Sequence, residues 1–344
     1  MCLQAFDAKA SNLQPKECSM FSFSRKTAIA VATAMLLSLG VSSHAEAKEI
    51  RIGYLVADQL HHPAVMVMKQ RKMLEEAGLT VKWNEFLGGS YVMQEMASGS
   101  LDFASCGAAP VAITNAQGVK LNIIGSCNQE GSALVVGNNV KSIKDLEGKN
   151  IGTPGTGSIQ DAMLAQLLKD NGVRARRMSM KVSDMPLFLQ KGEIAGFIAW
   201  QPHAARAVAH NFGKIMYTSS DMMPNHQCCV LVTPAAKVKE DPELVRTFMK
   251  VYLDAYKWFL EHPEETIQMT MKVTGMSEDI IREAVKSCKY APVPYCDVES
   301  IKAVTEGLIS TRKIVSIKKD QVPQFMEELY NPSFVEELTG TKRP

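Results

Sequence analysis

A phrase near residue 100 returns near residue 192, and this repeat constrains the fold more than any single motif. Ala97-Ser98-Gly99-Ser100-Leu101-Asp102-Phe103, followed by Cys106-Gly107 and Pro110, is echoed by Gln190-Lys191-Gly192-Glu193-Ile194-Ala195-Gly196, followed by Trp200 and Pro202. Gly78 and Gly172 each end an apolar-periodic segment, and Arg51-Ile52-Gly53 matches Asn150-Ile151-Gly152. Two copies of a strand–helix–strand plan predict two similar lobes. A cleft between lobes is where small ligands usually bind.

The N-terminal segment does not belong to that plan. Arg25-Lys26 precedes an uncharged run from Thr27 to Val41, then Ala45-Glu46-Ala47 and a charged start at Lys48-Glu49. This is the order of a secretory signal, with cleavage expected after Ala47. The run is shorter than the ~20 residues that a spanning helix needs; an uncleaved anchor fits the small residues less well. Met20 is a second candidate start. Export would discard Cys2 and Cys18 and leave Cys106, Cys127, Cys228, Cys229, Cys288 and Cys296, too sparse a set to build a disulfide scaffold. Cys288 and Cys296 flank a Pro-containing turn and are the candidates for pairing, which sequence leaves open. With 38 basic and 36 acidic residues and no long block of one sign, the chain lacks the basic face of a nucleic-acid binder.

Along the mature chain strands alternate with helices. Strands are expected at Glu49 to Val56, Thr80 to Phe86, Leu101 to Ser105 and Leu121 to Gly125, with helices from Pro63 to Gly78, through Met96, and from Pro110 to Gln117. The plan restarts with a strand at Asn150 to Thr153, a helix from Ser158 to Asn171 and a strand at Ile194 to Ile198. Cys228 to Thr233 is a further apolar strand that returns the chain towards the first lobe. The tail from Pro242 is mostly helical, with Leu244, Phe248, Val251, Tyr252 and Phe259 at core spacing. The fold class is α/β with parallel strands and right-handed crossovers. Lobe I is expected to combine residues 48–134 with 235–344, and lobe II to span 135–234.

In open α/β sheets ligands sit beyond the C-terminal strand ends, where helix starts favour anions. Four turns qualify: Ala57 to His62, Gly88-Gly89-Ser90, Cys106-Gly107-Ala108, and Thr153 to Ser158. Trp200 offers an apolar wall and Gln201 a donor and acceptor. His226-Gln227-Cys228-Cys229 is the most unusual string. On an extended strand His226 and Cys228 share a face while Cys229 points away. With His61, His62 and His203 in other cleft loops, a metal or metal complex is an alternative ligand. The spacing of a dedicated metal site is absent, and buried core cysteine is the favoured reading. No nucleophile elbow, phosphate-cradling loop or zinc-protease helix occurs.

These residues resemble the solute-binding proteins of ABC importers for nitrate, sulfonates, taurine and thiamine-pyrimidine precursors. The resemblance rests on Gly53-Tyr54, Met96 to Phe103, Gly107-Ala108-Ala109-Pro110, Ser142 to Ile151, Trp200-Gln201-Pro202 and Glu261-His262-Pro263-Glu264-Glu265, taken as an ordered set. It implies a type II periplasmic binding protein fold with two α/β lobes closing on a small anionic or zwitterionic solute. It also implies a periplasmic location, a permease partner in the inner membrane, no catalysis and no cofactor or resident metal; a monomer is expected. Carried over by position, binding groups are Gln59, His61, Gly89, Ser90, Cys106, Gly107, Ala108, Thr156, Gly157, Ser158 and Trp200, with Gln201 and His226 added from the residues. Ala195 stands where the family often has Asp, and Gln201 where it often has Glu; loss of a carboxylate suits a more anionic ligand or reflects altered packing. The competing reading is an enzyme like the fungal thiamine-pyrimidine synthase, which shares the fold and uses a Cys-rich motif, a His and a pyridoxal-bound Lys.

Overall fold

The computed structural model describes residues 48–343. The expected signal segment 1–47 and its cleavage point lie outside the described residues. Among the described residues eleven strands form two sheets. The first contains β1 (Lys48–Leu55), β2 (Leu79–Phe86), β3 (Phe103–Gly107), β4 (Leu121–Glu130), β10 (Gln227–Pro234) and β11 (Cys288–Lys289). The second contains β5 (Ser132–Val136), β6 (Asn150–Thr153), β7 (Arg176–Ser179), β8 (Gly196–Trp200) and β9 (Lys214–Thr218).

The repeat in the sequence is a repeat in topology. The first sheet runs β11-β4-β10-β3-β1-β2 and the second β7-β6-β8-β5-β9. Read from the β2 and β7 edges, β1 corresponds to β6, β3 to β8, β10 to β5 and β4 to β9. β1 is parallel to β2 and β3, as β6 is to β7 and β8. The fourth strand of each sheet is antiparallel to both neighbours. The purely parallel sheets expected from alternation are therefore corrected to mixed ones. Each sheet takes one strand from the segments that cross between them, and such a strand enters from the opposite direction.

The crossings fall at Gly131, between β4 and β5, and before Gln227. β10 thus belongs to the first sheet, and residues 132–134 to the second, where the expected division had placed them the other way. Glu130 clasps the two crossings together. Its N–H donates to the carbonyl of His226 at 3.1 Å, and its carboxylate accepts from the Asn225 N–H at 2.7 Å and pairs with Lys289 at 2.9 Å.

Two further expectations change. The helix from Pro63 to Gly78 is two helices, Pro63–Gln70 and Met73–Glu76, because Lys72 adopts left-handed φ of 54° between them. Asp102, one side of the Asp/Ala contrast in the repeat, lies at the start of β3, away from the strand's cleft end. Its carboxylate accepts from the Arg51 N–H and Nε–H at 2.8 and 2.9 Å and pairs with Lys237 at 2.6 Å. The Asp102 N–H donates to Arg51 O, as the Ala195 N–H does to Asn150 O, so the two positions are equivalent. Their difference concerns the anchoring of β1 and not the ligand.

The helix Pro242–Glu261 covers the first sheet, started by Asp241, whose side chain accepts from the Leu244 N–H. Its apolar positions recur at helical spacing and bury Leu244, Phe248, Tyr252, Ala255 and Phe259. Phe248 stacks on Phe103 with ring centroids 3.8 Å apart, and the Tyr252 hydroxyl donates to Ser126 O at 2.6 Å. Both stacked rings are fully buried. Phe248→Ala is therefore expected to destabilise the protein by about 3–5 kcal/mol, read as a lower denaturant midpoint at unchanged m value.

Candidate functional site

Strand ends from both sheets enclose a cavity of about 30 Å³. Its wall on the first sheet is Leu55, Asp58, Gly89, Ser90, Gly107, Cys228 and Cys229; on the second it is Pro154, Gly155, Ser158, Ile159, Gln160 and Trp200. Three helices start at this rim: Gly89–Ala97, Ala108–Ala116 and Ile159–Asp170. Their positive dipole ends converge on the cavity, a field that favours negative charge. Asp58 is the one carboxylate in the lining, which contains neither lysine nor arginine.

Each wall is shaped locally, and across them a Cβ on Gly88 would lie 3.6 Å from the Pro154 carbonyl oxygen. Gly89 lies against Pro110, and a Cβ there would come within 2.8 Å of the proline ring. The Ser158 side chain accepts from the Asp161 N–H at 3.1 Å and so starts the second wall's helix. Across the cleft the Ala57 carbonyl accepts two hydrogen bonds from the opposite sheet, from Trp200 Nε1 at 3.1 Å and His203 Nε2 at 3.0 Å. A cavity of this size holds one or two waters and no organic molecule. Entry of a solute therefore requires the walls to separate and the Ala57 contacts to break.

The expected residues divide into three groups. Gly89, Ser90, Gly107, Ser158 and Trp200 line the cavity. Ala108 and Gly157 are buried just behind it, and His61 and His226 are fully buried among the first sheet's strand ends. Gln59, Cys106, Thr156 and Gln201 do not line it. Gln59 spends its amide on Val56 O at 2.8 Å, and the Gln201 side chain accepts from the Ala205 N–H at 3.0 Å, starting a helix. Cys106 is fully buried, and burial pushes its thiol far up, so it behaves as a small core hydrophobe. Thr156 faces solvent. Cys288 and Cys296 carry free thiols.

Among the lining residues with polar or thiol side chains, sequence reading missed Asp58, Gln160 and the Cys228–Cys229 pair as binding groups. Gln160 Nε2 donates to Ser132 Oγ at 3.0 Å, fixing it beside the crossing at Gly131. The two cysteines were expected on opposite faces, yet both sulfurs approach one ring nitrogen, His61 Nδ1, at 3.5 and 3.9 Å. Register shifts in the β10–β4 pairing at Gln227/Cys229 and Cys229/Val230 break the alternation there. The Cys229 thiol donates to Cys228 and, with His61, pulls the Cys228 thiol well down, while burial pushes Cys229 well up. Burial lowers the His61 pKa, but the charges of Asp58 and Cys228 outweigh it and the net shift is well upward.

His203 behaves differently. Burial lowers it to about 4, with Arg206 lowering it further and the Ala57 bond, Asp58 and Asp184 opposing. Between about pH 6.5, where histidine titrates in the unfolded chain, and about pH 4 the unfolded chain takes up this proton first. Stability must fall on acidification through that window. The expected result is a loss on the order of 2 kcal/mol between pH 6.5 and 4.5 that His203→Asn abolishes, read from denaturant midpoints at each pH.

The family model described as NMT1/THI5 like matches residues 59–266. The chain is 24% identical over 311 residues to the taurine-binding periplasmic protein of Escherichia coli (strain K12), covering 86% of this chain and 95% of that protein. It is 25% identical to a putative aliphatic sulfonates-binding protein of Bacillus subtilis (strain 168), covering 71% and 75%. The fold is similar to that of the alkanesulfonate-binding protein SsuA from Xanthomonas axonopodis pv. citri bound to MOPS, with a TM-score of 0.69 at 16% identity over 80% of this chain and 98% of that one. Two mixed sheets facing a common cleft are the periplasmic binding protein fold.

Proposed function

Because the chain belongs to the NMT1/THI5-like family, we propose that it is the extracytoplasmic solute-binding component of an ABC importer, taking a small zwitterion of the aminosulfonate class. The observation that carries the reading is the pairing of one carboxylate with three helix starts around one cavity. Asp58 pairs with the ammonium end, while the starts at Gly89, Ala108 and Ile159 and the hydroxyls of Ser90 and Ser158 receive the sulfonate. Trp200 covers the methylene stem. The periplasmic taurine-binding relative supports both the location and the zwitterion.

Two lobes, one on each sheet, open by rotation at Gly131 and at the return before Gln227, and close when Trp200 and His203 meet Ala57. The closed form is the one presented to the permease. The enzyme reading receives less support, since its Schiff base needs an amine at the cleft and the lining contains no lysine.

Taurine at 100 times its dissociation constant is expected to stabilise the protein by about 2.7 kcal/mol, measured as a thermal shift. Ethanesulfonate, which lacks the ammonium, should shift it far less, and Asp58→Asn should erase the difference between the two. Equal responses to both would remove the zwitterion assignment. Ser158→Arg places a long cation in the cavity and should abolish the taurine shift. It should cost no more than the ~1 kcal/mol of a lost helix cap in the ligand-free protein; retained affinity would place the site elsewhere.

A further inference from the structure

His61 is the centre of a cluster that solute binding does not explain. Its Nε2 lies 2.9 Å from the carbonyl oxygen of Gly131, which only accepts, so Nε2 carries a proton and donates it. The other nitrogen, Nδ1, faces three potential ligand atoms: Cys228 Sγ at 3.5 Å, Cys229 Sγ at 3.9 Å and Asp58 Oδ1 at 3.5 Å. The two sulfurs are 3.7 Å apart. Asp58 Oδ2 stands 3.6 Å from His62 Nε2.

These separations are those of a metal's coordination shell. Zinc–sulfur bonds of about 2.3 Å at a tetrahedral angle put two sulfurs about 3.8 Å apart. Zinc–nitrogen bonds of about 2.0–2.1 Å put nitrogen about 3.6 Å from each sulfur. Two cysteine sulfurs and one imidazole nitrogen are also the borderline-soft donor mixture that a d10 divalent cation takes.

Three independent features agree. A metal-ligating histidine usually donates its second N–H to a backbone carbonyl, as His61 does to Gly131. Gly131, at φ of 86°, lets the ring sit there, since a Cβ on it would come within 2.4 Å of Nε2. Second, Asp58 Oδ1 and both nitrogens of His62 are buried without a hydrogen-bond partner, the condition under which polar atoms hold an ion or pay a desolvation penalty. Third, Asp58, Cys228 and Cys229 line the cavity of about 30 Å³, which suits an ion with the walls closed.

We propose that the floor of the cleft binds one borderline-soft divalent cation of the zinc class through His61 Nδ1, Cys228 Sγ and Cys229 Sγ, with water in the fourth position and Asp58 left free to face the solute. The ligands all come from the first sheet and its loop, so the site persists when the cleft opens. The inference does not rest on the identity of the solute, because failure to bind taurine leaves these ligands in place.

The test uses the reduced, metal-free full chain and cobalt(II) and zinc(II) salts alone. Cobalt(II) is expected to give thiolate-to-metal charge-transfer bands and intense visible bands of a tetrahedral ion, saturating at one equivalent and erased by zinc(II). Cys228→Ser and Cys229→Ser should each lose the charge-transfer intensity of one thiolate. Each should also weaken zinc(II) by more than the roughly 10- to 100-fold that loss of an outer-shell partner costs. Pale octahedral spectra, or tetrahedral bands unchanged in the double variant, would overturn the proposal. Should those variants not fold, zinc(II) in the unsubstituted protein must still protect Cys228 and Cys229, and not Cys288, from alkylation as read by mass spectrometry. Absence of that protection overturns it equally.

Discussion

The carbonyl oxygen of Ala57 accepts one N–H from Trp200 and another from His203, and both donors stand at the C-terminal end of the opposite sheet. Buried polar groups of this kind are costly to leave unmade, so the three groups either meet or must find water. They meet when the walls touch, and water reaches them when the walls part. The same atoms that close the cavity to about 30 Å³ therefore contribute to the balance between this closed arrangement and any more open one. A solute shifts that balance only by the contacts it makes with both walls at once. Asp58 beside Ala57 and Ser158 before the facing helix are placed to supply them.

Gly131 sits where this mechanics and the local chemistry coincide. It is the point at which the chain leaves the first sheet, its carbonyl accepts from His61 and from the Gln201 N–H, and its positive φ makes room for the imidazole. Glu130, also at positive φ, ties this crossing to the return segment through Asn225 and His226. Backbone in this region favours glycine, so its use at two consecutive residues marks a bend that the surrounding bonds over-determine. Whatever occupies the His61 side of the cleft is thus in contact with the segment where the chain crosses between the sheets.

Much of this was legible in the chain. The phrase around Gly99 and Gly192 is repeated because it closes the helix and starts the third strand of each sheet, and loops of that kind keep their small residues in any packing. Helix starts at Gly89 and Ser158 were legible for the same local reason. Four strands were not, of which β11 is only two residues long. β7 is exposed along its whole length and shows no apolar alternation, β9 is exposed at its start, and β5 is a short buried run that periodicity cannot tell from other core segments. Gln59, Thr156 and Gln201 looked like ligand groups because residue type does not reveal whether an amide or hydroxyl is spent on nearby backbone or turned to solvent. Asp58 was overlooked because a single acid in a loop has no pattern, and the cysteine pair was assigned opposite faces because a bulge is invisible to a period of two.

The assignment of the cleft is tested most directly by a crystal structure of the chain grown with saturating taurine. The expected result is one taurine between the two sheets, its nitrogen within hydrogen-bonding distance of Asp58 and its sulfonate oxygens against Ser90, Ser158 and the helix starts, in a cavity enlarged beyond its present volume. Taurine bound only on the outer surface, or a cleft that holds it with the amino group directed away from Asp58, would contradict the account.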